Sequence, residues 1–307
     1  MAVQTLALVT KENAEIYVRE LLERLTPQLV WVNHGMVKNV PKNNGDTVSF
    51  RRINSLAANT DELTEGTQGT ENAMSVTKIT ATLKQYGDYM YVSDKLDMLG
   101  LDPVIMELSG VFGEQGGLSI DTLIETEVSK GTNVQYANGR ADLAALVAGD
   151  ILTGTEVKKA VRNLKSNYAK RFSDGFFHGI VDSSTAFDLQ GDTLWQDVSK
   201  YNGGENIQKG ELGKLHGVKF FESEVTRRQT GTAELPVHST VIFGQNAYGS
   251  CNISKGKTKP EIIVKPPTSG GAENALNQRG SVGWKTLMTS ARLNENAIRR
   301  IDHAVSA

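Results

Sequence analysis

The chain has 307 residues, 39% hydrophobic and 22% charged, with a net charge of -2. That is enough for one large or two ordinary domains with an apolar core, and the near-neutral balance excludes a uniformly basic nucleic-acid binder. A lone cysteine, Cys251, excludes an intrachain disulfide framework, no run approaches membrane-span length, and Met1–Thr10 lacks the basic n-region of a signal peptide.

Taken in chain order, Lys11–Leu25 reads as a first helix with Thr10 as N-cap and Pro27 as its stop. Its apolar stripe is thin, which suits a helix lying along another subunit. Asn43, Asn44 and Gly45 signal a turn, and from Asp46 the alternation of Val48, Phe50 and Arg52 predicts a strand. Residues 54–75 are polar and nearly free of large apolar side chains. Strand signals resume at Val76 and continue through Ile79, Ala81, Leu83, Tyr86, Tyr89 and Tyr91. The pattern is an extended hairpin around a polar tip, and an isolated two-stranded arm is marginal in water.

Asp102-Pro103 is a helix start, followed by Val104, Ile105, Leu108, Val111 and Phe112, then Ile120, Leu123, Ile124 and Val128, at helical spacing. Gly113, Gly116 and Gly117 interrupt, each costing roughly 1 kcal/mol against alanine, so two helical pieces or one kinked helix are expected. Thr153 and Glu156 fit a capping box. Val157, Ala160, Val161, Leu164 and Tyr168 then form an apolar face, opposite Lys158, Lys159, Arg162 and Lys165. Phe176–Val181 reads as a buried strand, a helical stretch runs through Ala186, Leu189 and Leu194, and Val237–Phe243 and Glu261–Val264 read as strands. A mixed α/β domain over residues 141–277 is expected.

The chemical motifs are weak. Lys255-Gly256-Lys257-Thr258 resembles the end of a phosphate-binding loop, but Cys251 stands where that loop needs glycine and Pro260 obstructs the helix that must follow. His34, His178, His216, His238 and His303 show no metal-ligand spacing, so His178 and His238 read as strand residues satisfied by neighbours and His216 as a turn residue. Asp182, Asp188, Asp192 and Asp197 are not spaced as a calcium loop and read as capping and solvated groups. No nucleophile elbow exists and Cys251 has no cue for a lowered pKa. No catalytic, cofactor-binding or metal residue is assigned, and no enzymatic role is expected.

Two segments carry a resemblance. Gly210–Ser223, G-E-L-G-K-L-H-G-V-K-F-F-E-S, reads as a corner loop that lays down a strand at Val218–Phe221, and Leu276–Ile301 follows as a closing segment. Their order and separation resemble the major capsid proteins of tailed bacteriophages, with the fold first seen in phage Hong Kong 97. The resemblance implies an α+β phage capsid fold: an N-terminal arm (1–45), an extended β-hairpin loop (46–92), a peripheral domain with a long helix (93–140 and 278–307) and a central mixed α/β domain (141–277). It implies pentamers and hexamers building an icosahedral head around double-stranded DNA, assembled in the host cytoplasm and residing in the virion. Partners would be copies of itself, a separate scaffolding protein, a portal protein, an optional decoration protein and packaged DNA by non-specific contact, with no membrane. A shell of the encapsulin type is one alternative, and an enzyme with an α/β domain is the other. The acidic tip residues Asp61, Glu62, Glu65 and Glu71 would need basic partners, for which Arg51, Arg52, Arg227 and Arg228 are the candidates. Residues 54–75 contain no lysine, so the lysine–asparagine crosslink known in part of that family is not expected.

Overall fold

The computed structural model describes residues 30–40, 45–54, 56–62, 65–66, 68–69, 71–95, 104–193, 195, 211–252, 260–266 and 276–306. The helix expected at Lys11–Leu25, the Asp102-Pro103 start, the Lys255–Thr258 stretch, Leu194 and Asp197 lie outside them. Chain order runs α1 (Val30–His34), β1 (Met36–Asn39), β2 (Thr47–Ile53), β3 (Val76–Thr82), β4 (Lys84–Ser93), α2 (Val104–Ser129) and β5 (Val134–Tyr136). It continues with α3 (Gly154–Ser166), β6 (Phe177–Val181), α4 (Ser183–Gly191), β7 (Glu211–Leu215), β8 (Val218–Glu222), β9 (Arg228–Thr230) and β10 (Pro236–Phe243). It closes with β11 (Tyr248–Asn252), β12 (Glu261–Lys265), β13 (Arg279–Arg292) and β14 (Ile298–Ala304).

Two larger sheets and one two-stranded sheet result. The seven-stranded sheet runs β5-β14-β10-β6-β8-β7, with β9 also on β10. Period-two alternation gives it two apolar faces. Phe177, Val181, Ile242 and Ile301 meet Val157, Ala160, Val161 and Leu164 of α3 and Ala186 and Leu189 of α4. Ile180, Val241, Phe243 and Ile298 meet Ile120, Ile124 and Val128 of α2 and Trp31 and Val32 of α1. The five-stranded sheet is built on β13, whose 14 residues pair with β4 along one edge and with β12 and then β11 along the other, with β1 parallel to β11.

α2 is one unbroken helix of 26 residues, where the glycines had suggested a break or kink. Gly113, Gly116 and Gly117 are all buried, and a Cβ on Gly116 would sit 3.3 Å from both Pro260 and Trp284. Gly116 therefore lies at a close contact with Trp284 of the five-stranded sheet, and packing outweighs its low helix propensity. Trp284 donates its indole N–H to Gln115 at 3.0 Å, and Gln115 donates to Asp88 at 2.7 Å.

Three local expectations change. The capping box does not form: Thr153 caps nothing with its side chain, while Asp192 accepts from the Gly154 amide at 2.6 Å. The buried Glu156 carboxylate is taken by Gln135 at 2.6 Å and Lys159 at 2.7 Å. Tyr168 lies beyond the end of α3 at a left-handed φ of 54° and is 96% exposed, so it leaves the apolar face. The corner loop is itself a strand. β7 and β8 form a hairpin whose two turn residues, His216 and Gly217, have φ of 49° and 87°, as a tight primed turn requires. Gly213 carries the bulge at φ 148°, with Trp195 only 2.6 Å from where a Cβ would stand.

The aspartates after β6 are less solvated than their sequence suggests. Asp182 is buried, binding Thr185 and His238, and these bonds hold its carboxyl low against the opposing cost of burial. Asp188 accepts from the Ser306 amide at 3.1 Å. Ile298–Ala304, grouped from sequence with the peripheral segment, lies inside the seven-stranded sheet between β5 and β10.

Segment α1 is held at both ends. Asp121, fully buried on α2, accepts from the Val30 amide at 2.8 Å and the Trp31 amide at 3.4 Å. His34 meets His178 through their Nδ1 atoms at 3.1 Å, and His178 Nε2 contacts Asp174 at 3.0 Å. Burial raises Asp121 to about 6, while burial and then the neighbouring His178 lower His34 to about 4. The signs oppose. Asp121 favours the folded state at low pH and loses that contribution as pH rises through about 6, whereas His34 disfavours the folded state as pH falls from 6.5 towards 4. Asp121→Asn removes only the first. Between pH 5 and pH 7.5 the parent should lose on the order of 1–2 kcal/mol more stability than the variant in urea unfolding; parallel pH profiles would refute this. Gly213→Ala should cost about 1–3 kcal/mol by the same measurement, because the new Cβ meets Trp195 on a backbone that disfavours it.

Candidate assembly interface

The hairpin β2–β3 stands out from the body. Its base is tied in by Val48 and Phe50, which pack with Leu83, Cys251, Ala291 and Leu293. Past Phe50 the side chains emerge. Ile53, Leu56 and Met74 are more than 60% exposed, and the described part of 54–75 contains no strand. Asp61, Glu62, Glu65 and Glu71 are all exposed. None has an ion-pair partner among the described residues.

The four basic candidates are placed differently. Arg51 is exposed on β2, opposite Lys78. Arg52 donates to Asn294 at 2.7 Å and to the Leu293 carbonyl at 3.4 Å. Arg227 reaches the Ser129 carbonyl at the end of α2 at 3.4 Å and Gln229 at 3.3 Å. Arg228 pairs with Glu224 at 2.6 Å. Three of the four thus have contacts inside their own subunit, and none meets the acidic tip of the same chain.

A second surface was hidden in the sequence. The run from Val76 to Tyr91 reads as one return strand, but it divides at the buried Leu83. β3 stays in the hairpin, and β4 crosses to pair with β13 over ten residue pairs. β4 pairs on one side only among the described strands, so its outer edge is open. Tyr89, Met90 and Tyr91 on it are 64%, 50% and 59% exposed. Tyr89 and Tyr91 meet edge to face at 5.3 Å, with Arg279 over Tyr91. Beside them lies an open groove of about 590 Å³, lined by Gly87 and Gly283 and flanked by Ile263, Lys265 and Lys285. Gly283 has no alternative there, since a Cβ would lie 2.6 Å from the Asp88 carbonyl. The only sequence cue was the tyrosine spacing, which suited either strand assignment. The arrangement offers a strand edge unpaired among the described residues and an aromatic face, a combination suited to docking.

The chain's likeness to known proteins is visible in structure and not in sequence. No protein-family model and no curated protein sequence matches it. A chain of the capsid of Ralstonia phage GP4 superposes with a TM-score of 0.70 at 13% identity, covering 89% of this chain and 87% of that one. A chain of the cyanophage Pam1 capsid gives 0.67 at 15% identity, covering 92% of each. This chain has a phage capsid fold. A virus-like particle chain from Pyrococcus furiosus also aligns, with a TM-score of 0.55 at 12% identity, over 94% of this chain and 98% of that one. The helix α2 (Val104–Ser129) lies within residues 93–140, and the hairpin β2–β3 within residues 46–92.

Tyr89→Ser combined with Tyr91→Ser should leave the subunit's stability within about 0.5 kcal/mol, because both rings are exposed. The same variant should weaken self-association in sedimentation velocity. Unaltered association would remove the β4 edge from the interface.

Proposed function

We propose that this chain is the major shell subunit of a phage head, assembling as pentamers and hexamers into an icosahedral capsid around double-stranded DNA. The observation that carries the reading is a capsid fold matched over about nine-tenths of the chain, with a hairpin that projects beyond its own core. Past the packed base of the hairpin, exposed apolar side chains and an acidic tip gain little from their own subunit. A neighbouring copy supplies the missing area, and obligate interfaces of this kind typically bury about 2,000–5,000 Å².

The role is structural rather than catalytic. His238 and His303 are buried within the seven-stranded sheet, bonded to Asp182 and Thr240. Assembly would use a separate scaffolding protein and a portal, with a decoration protein as an optional addition, in the host cytoplasm. Contacts are non-covalent, since the tip has no lysine and Lys78 and Lys84 stand on β3 and β4. Individual exposed ion pairs are worth about 0–1 kcal/mol, weak enough for misplaced subunits to leave again. Arg51 is the basic candidate most open to a neighbour's tip.

The alignment with the Pyrococcus furiosus particle supports a second reading, a shell of the encapsulin type around a protein cargo. Electron microscopy of the expressed chain, with and without scaffold, distinguishes the two by particle diameter and contents. Large shells, tubes or capsomer rings are expected, and a chain that stays monomeric under both conditions would overturn the shell reading. Glu62→Lys with Glu65→Lys should reduce particle yield without unfolding the subunit. Denaturing gels of the particles should show monomer and no covalent ladder.

A further inference from the structure

Helix α3 has a second face that the sheet does not use. Lys158, Arg162 and Lys165 are exposed on it at i, i+4 and i+7, spanning about 10 Å of helix axis. None of the three has an ion-pair partner among the described residues. The acid in the first turn, Glu156, is buried and bound to Gln135 and Lys159. With Val161, Ser166 and His216, the three cations line an open pocket of about 620 Å³ between α3 and the β7–β8 turn. His216 reports the local field: its pKa is lowered by burial and next by Lys158, with Asp192 opposing.

We propose that this face binds the phosphate backbone of nucleic acid, a site that rests on the reading of the chain as a shell subunit and places α3 towards the enclosed polymer. One feature of α3 favours phosphate over an acidic protein. Protein partners are anchored by apolar and aromatic side chains at the interface centre, and residues 154–166 expose no large hydrophobic side chain. A row of lysine and arginine without such an anchor is the footprint of contacts that hold a backbone without reading its sequence. The site is local, because the chain as a whole carries -2.

The test is fluorescence anisotropy of the full chain with a duplex of about 30 base pairs over a salt series, using the triple variant Lys158→Glu, Arg162→Glu, Lys165→Glu. Affinity at low salt should fall at least about tenfold, and the slope of log K against log salt should shrink by about 2–3. In the parent, the His216 resonance should titrate at a higher pH once DNA is bound, since an anion cancels the field of Lys158. An unchanged salt slope, or an unmoved His216, overturns the site. Equal displacement of DNA by polyglutamate, lost equally in the variant, reassigns the face to an acidic protein and also overturns it. Microscopy separates this from the wider reading. Particles formed by a chain with no α3-dependent DNA binding remove this site and leave the shell. DNA binding by a chain that never assembles keeps the site and removes the shell.

Discussion

The structure depends on one rigid connection. Helix α2 buries Ile120, Ile124 and Val128 against the seven-stranded sheet and, two turns earlier, packs Phe112 with Ile262, Val282 and Trp284 of the five-stranded sheet. At about 1.5 Å per residue its 26 residues span roughly 39 Å, so one rod holds both sheets at a fixed separation. A kink at the glycines would rotate one core out of register with the other. The same helix supplies Asp121, which ties down α1 where the chain enters the body. Its last turn is met from the side by Arg227 and Arg300, both donating to the Ser129 carbonyl.

The hairpin follows the opposite rule. Its base is fixed by the buried Val48 and Phe50 and by Arg52 on Asn294, while Ile53, Leu56 and Met74 farther out are exposed. Exposed Leu56 and Met74 stand beside four acids that have no ion-pair partner among the described residues. The outer edge of β4 differs in kind, offering backbone donors and acceptors that meet no further strand among the described residues. A rigid centre with unsatisfied extremities suits a subunit that must be identical in every copy yet bind neighbours reversibly while a lattice forms.

Charge is distributed to match. The tip is purely acidic, and the outer face of α3 is purely basic apart from one acid that is already neutralised. A net charge near zero conceals this separation, because it averages two surfaces at different places in the fold.

Much of this was legible in the sequence where the signal is local. The period of α3 as far as Leu164, the alternation in β2, the buried run of β6 and the polar tip each follow from side chains a few residues apart, while Tyr168 leaves the face it was read on. The α+β capsid fold, inferred from the two glycine-containing segments, stands as read. The errors came where a distant partner decides. Asp192 displaces Thr153 as the cap of α3, 38 residues away, and Glu156 turns to Gln135 instead of closing the box. Gly116 looks like a helix breaker until Trp284 is seen against it. The sequence by itself determined the fold class, most of the elements and the polarity of the tip, since propensity and periodicity act over one or two turns. Only the tertiary structure decided that α2 is continuous, that β4 leaves the hairpin and that β14 enters the central sheet. Those outcomes depend on pairing and close packing between residues far apart in the chain, which no local pattern encodes.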